Sequence, residues 1–166
     1  MSGGKGNDES PRRGARPKKS RRKSRELALM GLYQWRLTGY PVATIEQQLR
    51  DEEMFPEANP THFNALLHGT IEQAEALDRQ LAPHLDRGAE ELSPIEHSIL
   101  RLAAFELVHH PEVPYRVVIN EAVELAKQYG GTDGYKYVNG VLDKLAVKVR
   151  AVEIKARQGE PGRQRD

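Results

Sequence analysis

The side chains best suited to chemistry in this 166-residue chain are cations and flat aromatic rings. Four cations fall together at the start of a predicted helix: Arg21, Arg22, Lys23 and Arg25. Further along, Lys136 is followed by Tyr137 on the outer face of another predicted helix. Single-stranded RNA is bound by cations along its backbone and by rings on which its bases stack. Cations at a helix start also oppose the helix dipole, which suggests an external anion, although a solvated run of charge is the alternative.

Two more rings lie deeper in the first predicted helix. Trp35 is expected in the core, because a large ring on a helix next to an apolar stripe is more often buried than used for binding. Tyr33 is equally compatible with the core and with a base-stacking surface. We therefore include Tyr33, and not Trp35, among the candidate RNA-binding residues.

Other kinds of site find little support in the sequence. The chain has no cysteine, which excludes disulfides, thiol nucleophiles and cysteine-ligated metals and suits a reducing cytoplasm. His62 and His68 do not share a helix face, and His109 and His110 point apart, so no metal site is expected. The Gly-rich stretch at 130–136 lacks the Gly-Lys-Ser/Thr of a phosphate loop and reads as an interhelical turn. We expect no cofactor and no enzymatic activity.

Charge is distributed very unevenly along the chain. Residues 1–25 hold ten Lys or Arg and two Asp or Glu, residues 26–149 hold ten and nineteen, and residues 150–166 hold five and three. A basic arm on an acidic body is typical of proteins that bind both a nucleic acid and a basic partner, with a solubilising tail as the alternative. The chain has neither a long apolar run nor a signal-peptide pattern, so no membrane association is expected.

Periodicity predicts an all-α protein with a single domain over residues 21–150. The predicted helices cover residues 21–38, 42–50, 61–85, 95–108, 117–128 and 135–149. Gly39 and a left-handed Gly130 should end two of them, while Ser93 and Asp133 should cap the starts of two others. Residues 1–20 and 151–166 are polar and rich in charge, Gly or Pro, and we expect both segments to be disordered.

Three separated blocks of sequence resemble a known family. The pattern VPYRVVINEAVELAK, followed by a Gly-containing turn and KYVNGVLDK, is similar to the bacterial NusB family of transcription antitermination factors. The likeness extends back to LSPIE and LRLA at 92–103 and to RRKSRELALMGLYQWRL at 21–37. It covers roughly residues 21–150, with a weak match over 38–59. One departure is Gly134-Tyr135, where the family commonly has a small or polar residue and then His, and this affects the expected turn geometry.

The resemblance implies a fold and a function. The family fold has about six to seven helices in two three-helix sub-bundles. Its members bind boxA, a short single-stranded RNA element of nascent ribosomal RNA, together with the ribosomal protein NusE. With other Nus factors on RNA polymerase, they suppress premature termination. By likeness, the RNA-binding residues include the arginine-rich segment at 21–25 and Asp133, Lys136 and Tyr137. An acidic surface with Glu91 and Glu96 is expected to bind NusE.

Two other functions remain open from the sequence. The domain could be an RNA-recognition module that serves a separate ribosomal RNA-modifying enzyme. It could also be a protein-binding scaffold, in which case neutralising Arg21, Arg22 or Lys136 would have no effect on function. A homodimer that buries the RNA-binding face is also possible, but no residue requires one.

Overall fold

The first predicted helix begins at Arg21. It is capped by Ser20, which is also the first residue that the structure describes. A computed structural model describes residues 20–159, and these residues form eight helices and no strand. The helices are α1 (Arg21–Thr38), α2 (Val42–Arg50), α3 (Pro60–Glu72), α4 (Ala74–Leu81), α5 (Pro94–His109), α6 (Tyr115–Tyr129), α7 (Gly134–Val149) and α8 (Ala151–Gln158). None of the eight helices has the length and apolar content needed to cross a bilayer. The all-α prediction is confirmed.

Local capping chemistry sets several of these boundaries. The Ser20 hydroxyl accepts a hydrogen bond from the Lys23 N–H, and the Ser93 hydroxyl accepts one from the Glu96 N–H. Each bond satisfies one of the N–H groups that a first helical turn leaves without a partner. Gly39 ends α1 in the left-handed conformation, with φ at 70°, as predicted.

Two local predictions are wrong, and a third is correct only in position. The helix predicted over 61–85 is two helices, because the backbone breaks at Gln73, while its apolar stripe continues across the break and conceals it. Gly130 ends α6 in an extended conformation, with φ at −88°, rather than in the left-handed one. Asp133 occupies the N-cap position of α7, but its side chain makes no capping bond.

The predicted disordered tail is also wrong over the part of it that the structure describes. Ala151–Gln158 forms α8. The physical reason lies in Arg150, which is buried and donates to the carbonyls of Leu107 and His110 at 2.7 and 3.1 Å. Glu153 accepts from the Tyr115 N–H and pairs with Arg150, so α8 is anchored to the start of α6. The expectation of disorder for residues 1–19 and 160–166 falls outside the described residues.

The arrangement of the helices is organised around α5, whose sides are nearly all apolar. It packs against α1, α3 and α4 on one side and against α6 and α7 on the other. The first group and α2 form one sub-bundle, while α5, α6 and α7 form the second, so the two expected sub-bundles are present. The first has four helices rather than three, because the predicted helix at 61–85 is divided at Gln73. A mostly buried helix of this kind is stable only at the centre of a bundle, because each of its faces needs an apolar neighbour.

A polar network crosses the core between α1, α4 and α5. Arg101 donates to both carboxylate oxygens of Asp78 at 3.0 and 2.7 Å, and the buried His97 contacts the same carboxylate at 2.8 Å. Burial alone would raise the pKa of Asp78, but these two partners lower it to about 2. Arg36 completes the network by donating to the other ring nitrogen of His97 at 2.9 Å. The network therefore stabilises the contact of α1 and α4 with the start of α5.

Candidate nucleic-acid interface

The cations at the start of α1 separate into an exposed group and a buried one. Arg21 is exposed and forms no ion pair with residues 20–159. The Arg22 side chain is 68% exposed and reaches across to Glu121 of α6 at 2.8 Å, while Lys23 lies 3.7 Å from Glu26. Exposed ion pairs contribute about 1 kcal/mol or less, so a phosphate can replace the carboxylate at little cost. Arg21, Arg22 and Lys23 are therefore available to an anionic ligand.

Arg25 is the exception, and we withdraw it from the predicted RNA-binding surface. Its side chain is 6% exposed and donates to both carboxylate oxygens of Glu106 at 2.7 and 2.9 Å. Burial opposes ionisation of Glu106, but the contacts with His62 and with the Arg25 guanidinium outweigh it and lower the pKa to about 2. Arg25 holds α1 to α5 and does not face the solvent.

The second predicted group lies where α7 begins. The side chains of Asp133 and Lys136 are 74% and 67% exposed and lie 3.6 Å apart. Tyr137 is partly buried, and its hydroxyl donates to the Asp86 carboxylate at 3.0 Å. Burial and this hydrogen bond to Asp86 together raise the pKa of Tyr137, so the ring stays neutral at physiological pH. Lys136 and Tyr137 thus present a cation beside a ring.

Two residues of this surface, Asp86 and Arg87, are not among the candidates that the sequence indicates. The Arg87 guanidinium lies 5.2 Å from the centre of the Tyr137 ring, and Arg87 pairs with Asp86 at 2.8 Å. These contacts with Arg87 and with Tyr137 lower the pKa of Asp86 to about 2. Arg87 adds a cation to the surface, and Asp86 fixes the orientation of the ring. Nothing in the local sequence signals this, because the partners are 51 positions apart.

The two exposed groups are not in one cluster. Arg25, one turn from Arg21, contacts α5 at Glu106, whereas the start of α7 contacts α5 at Glu96. Ten residues of helix separate those two positions, which corresponds to about 15 Å along α5. An oligonucleotide that contacts both groups must therefore be extended over at least that distance.

Tyr33 contributes to a different feature, an open groove of about 500 Å³ between α1, α2 and the ends of α5 and α6. The Tyr33 side chain is 39% exposed, and Met30, Ile95 and Tyr129 share the walls of the groove. Trp35 is partly buried, with the Arg101 guanidinium 5.6 Å from its ring centre.

The predicted partner-binding acidic residues lie near the start of α5. Glu91 is exposed in a short 3₁₀ turn (Ala89–Glu91), and Glu96 is in the first turn of α5, next to Ile95. A Cβ on Gly134 would lie 2.2 Å from the Glu96 carboxylate, so a larger residue here would require that side chain to shift.

The described residues contain one group with metal-ligand chemistry. His62, Glu106 and His110 each place a possible ligand atom within 4.8 Å of the others. The local spacing of the histidines gives no signal of this group, because His62 lies more than 40 positions before Glu106 and His110.

The fold and this surface define a class, namely a small all-α bundle protein with exposed cations and a partly exposed ring at the ends of its central helix. Comparisons with known proteins make the class specific. The NusB family matches residues 22–147. A transcription antitermination protein NusB of Nitrosospira multiformis is 63% identical over 133 residues, which cover 80% of this chain and 84% of the relative. The relative in Paraburkholderia phytofirmans is 58% identical over 139 residues, 84% of this chain and 96% of its own length. The chain belongs to the NusB family.

Solved structures agree with this assignment. A structure of Thermotoga maritima NusB superposes with a TM-score of 0.71 at 27% identity, covering 79% of this chain and 93% of that protein. A complex of the antitermination factors NusB and NusE with double-stranded RNA contains a chain that superposes with a TM-score of 0.69 at 25% identity. That match covers 75% of this chain and 94% of the other.

Proposed function

We propose that this protein is a non-catalytic transcription antitermination factor of the cytoplasm. It binds boxA-type single-stranded RNA in nascent ribosomal RNA together with the ribosomal protein NusE. The observation that carries the proposal is the pairing of exposed cations with the Tyr137 ring in a chain whose relatives are named transcription antitermination proteins.

The chemistry of the surface suits an extended single strand. Arg21, Arg22 and Lys23 would neutralise phosphates at one end of α5, and Lys136 with Arg87 would do so at the other. Tyr137 is held by Asp86 in one orientation, so little entropy is lost when a base stacks on it. Asp133 adds an exposed carboxylate that can accept from a base amino group.

The acidic end of α5 supports a basic protein partner. Glu91 and Glu96 lie near the start of α5, where Ile95 lines the groove that contains Tyr33, so a cationic protein bound at this end would meet complementary charge. We assign this end to NusE. Binding of RNA and NusE to adjacent surfaces would let the complex join other Nus factors and RNA polymerase and suppress premature termination.

The proposal is tested by titrating a fluorescent boxA-like RNA with this protein, alone and with NusE, at several salt concentrations. A scrambled strand and a duplex serve as RNA controls. With the five cations named above each contacting a phosphate, the slope of log K against log salt should be near −3.5, from roughly −0.7 per contact. Equal weak binding to all three RNAs would overturn the proposal and leave only a basic arm that binds without selectivity.

Variants make the test specific to named residues. Tyr137→Ala should weaken RNA binding by about 1–3 kcal/mol, whereas Tyr137→Phe should keep most of the stacking. Lys136→Ala should make the salt slope less steep by about 0.7. Arg50→Ala is the charge-matched control, because Arg50 pairs with Glu46 on α2. If Arg50→Ala weakens binding as much as Lys136→Ala, the effect is one of net charge and not of a site.

A further inference from the structure

The group formed by His62, Glu106 and His110 lies where α1, α3 and the end of α5 meet. His62 is in the first turn of α3, Glu106 is in the last turn of α5, and His110 follows that turn directly. His62 Nε2 is 3.4 Å from a carboxylate oxygen of Glu106, and the ring centres of the two histidines are 6.1 Å apart. His62 and Glu106 are 5% and 1% exposed, while His110 is partly exposed.

The nitrogens of this group lack hydrogen-bond partners. Both ring nitrogens of His62 and Nδ1 of His110 are buried without one, since the contact of His62 with Glu106 has unsuitable hydrogen-bond geometry. Buried polar atoms are nearly always satisfied, because each one left without a partner costs roughly 1–3 kcal/mol. By contrast, His97 in the neighbouring network has a partner on each ring nitrogen. Thr70 Oγ1 and His84 Nε2 are also buried without a partner, but only beside Glu106 do three such nitrogens lie together among the described residues.

A divalent transition metal fits this arrangement. Two imidazoles and one carboxylate are a common ligand set for Zn²⁺, with a fourth position open to water. Ligand atoms at tetrahedral angles around Zn²⁺ are about 3.3 Å apart, and the separation of His62 and Glu106 is 3.4 Å. His110 must move closer by up to about 1.5 Å, since the three ligand atoms now lie within 4.8 Å of one another and the tetrahedral separation is about 3.3 Å.

Arg25 is the feature that opposes a cation here, because its guanidinium already pairs with Glu106. It donates to one carboxylate oxygen at 2.7 Å and to the other at 2.9 Å. The oxygen nearer His62 already accepts the 2.9 Å bond from Arg25, but a carboxylate oxygen has two lone pairs, so this oxygen can bind a metal with its second lone pair and keep Arg25. Hydrogen-bonded carboxylates of this kind are typical around metal sites, where the outer partner orients the ligand. The charge of Arg25 should lower the affinity of the site without blocking it.

We propose that His62, Glu106 and His110 form a binding site for a divalent transition metal of the Zn²⁺ class. The metal joins the start of α3 to the end of α5 beneath the exposed cations of α1. The site is distinct from the proposed RNA-binding residues, so Lys136→Ala should leave metal binding unchanged.

Untagged full-length protein, first treated with a chelator, is titrated with Zn²⁺ by calorimetry and with Co²⁺ by visible absorption. We expect one ion per chain, Co²⁺ absorption typical of a four-coordinate site, and a higher melting temperature that a chelator reverses. Mg²⁺ should have no effect, because it requires oxygen ligands. His110→Gln should weaken Zn²⁺ binding by more than the roughly 10- to 100-fold typical of outer-shell changes.

Two further variants complete the experiment. His62→Gln should abolish binding, and since His62 is buried, the more accessible His110 decides the outcome if that variant misfolds. His68→Gln is the matched control, because His68 contacts only one carboxylate, that of Glu46, at 2.7 Å. The proposal is overturned if Zn²⁺ does not bind, or if His110→Gln binds it as tightly as the unaltered protein does.

Discussion

The cations of α1 are divided into an exposed group available to RNA and one buried residue, Arg25, that holds α1 to α5. Replacing Arg25 with alanine tests this division most directly. The change leaves the Glu106 carboxylate, which is 1% exposed, without its bidentate partner. Breaking a buried ion pair in this way costs about 3–5 kcal/mol. The lowered pKa of Glu106 agrees in direction, because the contacts with His62 and with Arg25 outweigh the effect of burial and keep the carboxylate ionised. A cost of about 3–5 kcal/mol is a large fraction of the stability of a typical domain.

Arg22→Ala is the matched comparison, because the same residue type is removed three positions away. The Arg22 side chain is 68% exposed, and its ion pair with Glu121 should contribute about 1 kcal/mol or less. We therefore expect Arg22→Ala to preserve stability and to weaken RNA binding, with a salt slope less steep by about 0.7. Arg25→Ala should show the opposite result, a large loss of stability.

Urea unfolding followed by circular dichroism, in the presence of a chelator, measures the free energy of unfolding of both variants. In thermal unfolding, a loss of 3–5 kcal/mol should lower the melting temperature of a chain of this size by roughly 6–20 °C. A double change, Arg25→Met with Glu106→Leu, should restore much of the stability, because it removes both charges together. The reasoning is refuted if Arg25→Ala loses less than about 1 kcal/mol and weakens RNA binding as Arg22→Ala does, since Arg25 would then face the solvent.

Two further predictions concern stability alone. The pKa of Glu106 is lowered by folding, so its contribution to the free energy of unfolding is complete above about pH 4.5 and is lost as the pH falls toward about 2. Urea unfolding across that range should show this loss of stability in the unaltered protein. The Arg25→Met, Glu106→Leu variant should show much less of it. Gly69→Ala should destabilise the fold by about 1–3 kcal/mol, because the new Cβ would lie 2.2 Å from the Phe105 ring, whereas Gly140→Ala on α7 meets nothing within 4 Å and should add about 0.5–1 kcal/mol. Equal effects of the two glycine changes in thermal unfolding would contradict the packing described for Phe105.

The sequence by itself determined the features that depend on neighbouring residues. The 3.6-residue period established the all-α class, and Ser93 and Gly39 marked helix ends, since a cap acts within one turn of helix. The exposed positions of Arg22 and Lys136 also followed from local pattern. The wrong predictions at Gln73 and Ala151 share one feature, namely that no local signal marked them. The apolar stripe continues across Gln73, where the helix breaks. The helix α8 is anchored by a contact of Arg150 with the carbonyl of Leu107, which lies more than 40 positions earlier.

Only the tertiary structure decided which polar residues meet in the core. Arg25 shares a run of cations with Arg21 and Arg22, yet it is buried because Glu106, 81 positions away, faces it from α5. Arg87 and Tyr137 are likewise brought together by the packing of the second sub-bundle, as are His62 and His110 by the junction of α3 and α5. A helical period shows that a side chain faces inward or outward, but its partner depends on how the helices pack, and that information is distributed over the whole core.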